Sequence, residues 1–267
     1  MDFKRLTSGL LGFPLVLIIL LLGNKIVVDI CLSIIALLAM DEYFNAVSKV
    51  SKPVRWLGYL SCFSIAVIHI VPPEALRMVV TLAVPSILII LFAQVIATDM
   101  KTSFKDIAYT FLGIFYVVFF IMFVAFIDGM PNGKVLIWYA LFAAWGTDIS
   151  AYVVGKYFGK HKFSKVSPKK TIEGCAGGVI GAVILMLAYT YIANTYWGMS
   201  YSYLQIGVIG VALSLIGQIG DFAASTIKRF VDIKDYSNLI PGHGGMLDRI
   251  DSLIFLAPFA YALFTVL

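Results

Sequence analysis

Between Ser225 and Asp251 the chain gathers Lys228, Arg229, Asp232, Lys234, Asp235, Asp248, Arg249 and Asp251, with His243 set among glycines. Asp221 stands just upstream, at the end of an apolar run. Charged residues form only 13% of the 267 positions and apolar residues 61%, so this concentration marks a place built for polar chemistry. Carboxylates are hard oxygen donors that suit Mg2+, with phosphate oxygens completing its shell. Lysine and arginine offset phosphate charge. Asp248 and Asp251 are three residues apart, which puts both on one face of a helix with Arg249 between them. The turn Pro241-Gly242-His243-Gly244-Gly245 lets backbone amides approach a ligand. His243 by itself reads equally as a turn residue or a catalyst.

A second cluster precedes it. In Ser167-Pro168-Lys169-Lys170-Thr171-Ile172-Glu173-Gly174, a Ser-Pro turn and a glycine punctuate a basic pair. Gly174, Gly177, Gly178 and Gly181 then open a helix whose start offers amides to phosphate oxygens. The plainer alternative is that these lysines sit at the membrane interface and attract anionic lipid.

Both clusters need a scaffold, and hydropathy describes it. A mean hydropathy of +0.95 over this length predicts an all-α, polytopic integral membrane helical bundle. Apolar runs fall at 8–23, 26–44, 54–71, 78–97, 107–127, 135–154, 175–197, 203–221 and 252–267, which predicts about nine transmembrane helices. Lys4 and Arg5 before the first run imitate a signal peptide, but no small-x-small cleavage site follows. Pro85 should kink the fourth run. Of the 20 lysines and arginines, 17 fall in the N-terminal tail and the loops after runs 2, 4, 6 and 8. The positive-inside rule then places the N-terminus and the long polar loops, 155–174 and 222–251, in the cytoplasm. The net charge of +5 is thus a statement about topology and gives no reason to expect nucleic acid. Cys31, Cys62 and Cys175 lack metal-ligand spacing and read as core filler. Residues 1–134 form an N-terminal group of about five helices, and 135–267 a catalytic region.

Two helical stripes point the polar residues inward. Gly207, Gly210, Ser214, Gly217 and Asp221 recur at three- and four-residue steps, and Ser225 and Lys228 continue the line. Small residues on such a stripe permit close helix contact. Ala144, Asp148, Ala151 and Gly155 repeat the pattern. Asp148 is expected to be buried, where it needs a cation from a loop or a metal. A packing stripe ending in an interfacial Asp, and a purely structural ion pair at Asp148, are the bland alternatives.

Taken together, Ser225-x-x-Lys228-Arg229, Lys234-Asp235, Leu239-Ile240-Pro241-Gly242-His243-Gly244-Gly245 and Asp248-Arg249-Ile250-Asp251-Ser252 resemble the signature of the phosphatidate cytidylyltransferases, or CDP-diacylglycerol synthases. Gly220-Asp221 fits the same pattern. Trp145-x-x-Asp148 with Ala151-Tyr152, and Ser167 to Thr171 with Glu173-Gly174, resemble a second block. The motif-bearing resemblance covers about 145–252. It departs at Ala224, where many bacterial members of that family carry a glutamate four residues before the Lys-Arg pair, and this leaves Asp221 and Asp248 as the stronger metal candidates.

The resemblance implies transfer of the cytidylyl group of CTP to phosphatidate, with Mg2+, at the cytoplasmic face of a bacterial inner membrane. It implies catalytic roles for Asp221, Asp248, Lys170, Lys228, Arg229 and Asp148. Substrate contacts follow for Ser167, Lys169, Thr171, Ser225, Lys234, His243, Gly244, Gly245 and Arg249. The metal is expected on Asp221, Asp248 and Asp251. Membrane lipid surrounds the chain, and a homodimer is the expected assembly. A CTP-dependent polyprenol or lipid kinase is the alternative enzyme, opposed by the intact His-Gly-Gly-x-x-Asp-Arg-x-Asp run. A secondary transporter with Asp29, Asp148 and Asp221 buried is the alternative from another class, opposed by the lack of an internal repeat.

Overall fold

A computed structural model describes residues 17–267 apart from Leu21, Lys165, Pro241 and His243. Most of the first predicted run, and the assignment to His243, therefore lie outside the described residues. The helices in chain order are α1 (Lys25–Val47), α2 (Arg55–Cys62), α3 (Pro73–Ala97), α4 (Phe104–Gly129), α5 (Gly133–Phe158), α6 (Ile172–Tyr196), α7 (Tyr203–Phe230) and α8 (Leu247–Phe264). No strand occurs among the described residues, so the all-helical expectation holds. Among the described residues four helices, α3, α4, α6 and α7, are long and apolar enough to cross a membrane. The chain is a helical membrane protein.

The chain divides into two compact units. One runs up to Gly129 and includes Val231–Arg249; the other is Met130–Phe230 with Ile250–Leu267.

The first unit is organised on α1. Met40, Tyr43 and Phe44 are fully buried there. The Phe44 ring lies so close over Gly58 that a Cβ would overlap it, and Tyr43 does the same at Gly113. Directly after Gly113, α4 widens into a π-helical stretch, Ile114–Phe119; such insertions accommodate an extra residue within a helix. The start of α4 is fixed by a capping box, Ser103 with Asp106. Asp106 also accepts the Lys52 N–H at 2.5 Å, tying down the loop before α2. Helix α3 continues through Pro85.

The second unit is built on the contact of α5 with α6. A Cβ on Gly177 would overlap the Val154 side chain, and one on Gly181 would overlap Ser150. Gly178 would meet the Thr147 carbonyl at 3.0 Å, and Gly174 the Ala151 carbonyl at 2.9 Å. These glycines therefore exist for helix packing. The expectation that they offer amides to phosphate is corrected at Gly174, whose N–H goes to the Thr171 hydroxyl at 3.1 Å. On α7, Gly210 packs on Val183 and Met186, and Gly217 on Ser252 and Leu256. Ser214 accepts from the Thr147 hydroxyl at 2.7 Å. Gly207 has nothing nearby. The predicted stripe thus holds over most of its length, and its upper end is unpacked.

Candidate functional site

In the second unit the loop between α5 and α6 folds back as a narrow hairpin. The Phe163 N–H donates to the Lys170 carbonyl at 3.0 Å and the Ile172 N–H to the His161 carbonyl at 2.9 Å. Ser167-Pro168-Lys169-Lys170 form the tip, closed by the Lys170 N–H on the Ser167 carbonyl at 3.1 Å. Proline at the second position suits such a turn. Thr171 ends the hairpin as the N-cap of α6. It is only 4% exposed, and its hydroxyl oxygen accepts the Gly174 N–H of the cap. Glu173, in the first turn of α6, accepts the Lys160 and His161 N–H groups at 3.1 and 3.2 Å and meets the His161 ring at 2.6 Å. A carboxylate there also complements the helix dipole.

The hairpin docks on the end of α7. Phe163 stacks on Phe222 with centroids 4.8 Å apart. Lys170 pairs with Asp221, and its ammonium lies 4.3 Å from the centre of the Phe222 ring. Arg229 Nε donates to the Val166 carbonyl at 3.5 Å. One turn on from Asp221, Ser225 directs its hydroxyl at the carboxylate at 3.5 Å.

Two further carboxylates, Asp251 on α8 and Asp148 on α5, belong to the same cluster as Asp221. Asp251 on α8 is 7% exposed and lies in the field of Asp221, Lys228 and Asp148. Its Oδ1 accepts the Ser252 N–H at 2.8 Å. Ser252 Oγ in turn donates to Asp148 Oδ2 at 3.4 Å. The expected burial of Asp148 within the protein is corrected: the residue is exposed on α5. Lys169 is exposed at the hairpin tip and Lys228 half-buried.

No three Asp, Glu, His or Cys residues among those described converge tightly enough to hold one ion together. That is compatible with Mg2+, which usually takes one or two carboxylates and completes its shell with water and phosphate.

The first unit contains the glycine-rich loop and Asp248. Gly242 and Gly244 have φ of +78° and +84°, which only glycine adopts readily. The Ile240 N–H donates to the Gly244 carbonyl at 2.9 Å, so the loop closes on itself. Asp248 is 8% exposed; its Oδ2 accepts the N–H groups of Tyr236 and Gly245 at 2.9 and 3.1 Å. The amide of Gly245 is thereby committed to Asp248, which corrects the picture of that amide cradling phosphate. Lys234 and Arg249 are exposed.

Two acids without a predicted site role hold the loops. Glu173 clamps the hairpin, and Glu42 on α1 binds the start of α8. An acid one position after an N-cap and first helical residue is a legible helix-start signal. An acid inside an apolar run, as Glu42 is, marks a functional or structural pairing.

A helical membrane protein with lysines and carboxylates gathered beside a polar hairpin fits a class of lipid-modifying or transport proteins. Sequence comparison resolves which. The chain matches the Cytidylyltransferase family model over residues 3–267. It is 36% identical over 184 residues to the phosphatidate cytidylyltransferase of Bacillus subtilis (strain 168), an alignment covering 68% of this chain and 66% of that one. It is 34% identical over 260 residues to the phosphatidate cytidylyltransferase of Staphylococcus aureus (strain COL), covering 95% of both. The Staphylococcus haemolyticus (strain JCSC1435) enzyme of that name is 30% identical with the same coverage. The chain belongs to the cytidylyltransferase family.

Proposed function

We propose that the chain transfers the cytidylyl group of CTP to phosphatidate, giving CDP-diacylglycerol and pyrophosphate for phospholipid synthesis. A phosphatidate oxygen attacks the α-phosphorus of CTP, the bond from that phosphorus to the bridging oxygen breaks, and pyrophosphate leaves. Beyond the family match, the observation that carries this reading is the Lys170–Asp221 pair. It joins the two sequence blocks of the resemblance in one place. Transfers of this kind depend on positioning and charge neutralisation. Lys170, Lys228 and Arg229 are the proposed cationic clamp on the phosphates. Lys169, Ser167, Ser225 and Lys234 are proposed as further contacts.

Mg2+ is the proposed cofactor, held by one or two carboxylates from among the candidates Asp221, Asp248 and Asp251; when bound it offsets phosphate charge. About nine transmembrane helices with a cytoplasmic N-terminus are proposed from the charge bias of the loops. The same bias supports cytoplasmic polar loops, and the bacterial relatives support an inner-membrane location. A homodimer is proposed as the assembly. Cysteines introduced at 161–170 and 235–240 are then expected to react only with reagent that reaches the cytoplasm.

The deciding experiment incubates purified protein with phosphatidate, Mg2+ and CTP labelled at the α-phosphate. Label should enter lipid as pyrophosphate is released. Transfer of the γ-phosphate alone would make the protein a CTP-dependent lipid kinase. Absence of any labelled lipid would return the transporter reading.

A further inference from the structure

Glu42 lies in the last two turns of α1, is 5% exposed, and has no place in any motif. Its carboxylate nevertheless takes three donors from a segment about 200 residues further along the chain. Oε1 accepts the Ser237 hydroxyl at 2.5 Å and the Met246 N–H at 2.8 Å. Oε2 accepts the Leu247 N–H at 2.8 Å. Gly245 has no Cβ because one would stand 2.5 Å from Oε2. Two of the donors, the Met246 and Leu247 amides, stand at the start of α8, where N–H groups have no partner within their own helix. A carboxylate at that end also complements the helix dipole.

The consequence falls on the next residue. Asp248 follows Leu247 directly, and its Oδ2 is held by the Tyr236 and Gly245 amides. Two carboxylates from different helices thus divide the amides of one glycine-rich turn. Glu42 takes the two that begin the helix, and Asp248 takes the one before them. Freed of Glu42, the Met246 and Leu247 amides would have to find water or bend the turn, and the aim of Asp248 would no longer be fixed.

We propose that Glu42 is a positioning residue for the nucleotidyl-transfer site. It touches no substrate, and it sets the direction of Asp248 by fixing the Gly245–Leu247 backbone. This rests on the function proposed above. Its role is one of geometry, in the way that residues behind a ligand orient the ligand.

Glu42→Gln tests it in the full-length protein. The amide keeps the volume but sets an N–H2 against a backbone N–H. Hydrogen exchange at Gly245, Met246 and Leu247 should accelerate about 10-fold or more, the worth of one charge-assisted hydrogen bond. Exchange elsewhere should stay as in wild type. Mn2+ binding followed by electron paramagnetic resonance should weaken by a comparable factor, while KM for phosphatidate is unchanged. Ser237→Ala, which removes one donor of three, should move both readouts the same way by about 2- to 3-fold. It carries the test if Glu42→Gln does not fold.

Unchanged exchange at residues 245–247 would overturn the proposal. So would faster exchange throughout the chain with Mn2+ binding intact, since that is a purely structural role. A wild type that transfers α-label beside an unaffected variant would sink this inference alone. A wild type that transfers none would sink the function it rests on, and this inference with it.

Discussion

The Lys170 ammonium is paired with the Asp221 carboxylate and rests on the ring of Phe222, 4.3 Å from its centre. The pair is about one-quarter exposed on each side, so water screens it only in part. Phe222 supplies a flat face that favours a cation, and Phe163 stacked on that ring keeps the hairpin in place. Lysine carries a point charge on a flexible stem. It is therefore the member of the pair able to turn toward a phosphate while Asp221 stays with its helix.

If the two act together in the reaction, their losses will not add. Lys170→Met and Asp221→Asn are each expected to lower kcat/KM for CTP by about 10²-fold, the scale of one electrostatic stabiliser. The double variant should be no worse than the poorer single one. A double-mutant cycle on the labelled-CTP assay measures this, and simple additivity would mean that the pair is only structural.

The metal assignment makes a separate demand. Chelating divalent cations should stop transfer, and Mg2+ should restore it. Asp221→Asn and Asp248→Asn keep side-chain volume and remove charge, so each should cost at least ~10²-fold in rate. Near-normal rates with an unchanged Mg2+ requirement in both would remove these residues as ligands.

Much of this was legible in the sequence, because periodicity and charge report on elements. The runs that became α3, α4, α6 and α7 were visible as hydropathy, and the α7 stripe as small residues at helical spacing. The α6 glycines were ambiguous for a physical reason. Close approach of a phosphate and close approach of a helix both require the absence of a Cβ. The distinction depends on what faces them, here Val154, Ser150 and Thr147 on α5. Asp148 was misplaced for a similar reason, since depth along a helix does not say whether that face is covered. Glu42 could be flagged as an acid in an apolar run, but its partners are about 200 positions away and no local pattern encodes them.

Glycines on one helix should respond in opposite ways. A Cβ on Gly220 would stand 2.5 Å from Phe255 Cβ and 2.7 Å from the Asp251 carbonyl. Neither atom can move without displacing α8. Gly220→Ala should therefore destabilise by about 1–3 kcal/mol, as overpacking does. Gly207 has nothing within 4 Å, so Gly207→Ala should be neutral or gain up to about 1 kcal/mol of helix propensity. Thermal melts in detergent compare them directly. Equal melting temperatures would show that α7 and α8 are not packed as described.

The last prediction concerns a base that the reaction does not need. A phosphate monoester has a second pKa of about 6, so phosphatidate is largely dianionic at neutral pH. Its attacking oxygen has no proton to lose, in contrast to a lipid alcohol in a kinase reaction. We therefore propose no proton transfer for His243, and a heavier burden on Lys170, Lys228 and Arg229. In a pH–rate profile, His243→Gln should lose some rate at every pH and keep the shape of the wild-type curve. The acidic limb should follow the substrate phosphate, rising through about pH 6 in both proteins. Should that limb vanish in the variant while wild type retains it, His243 is a general base and the dianion mechanism is wrong.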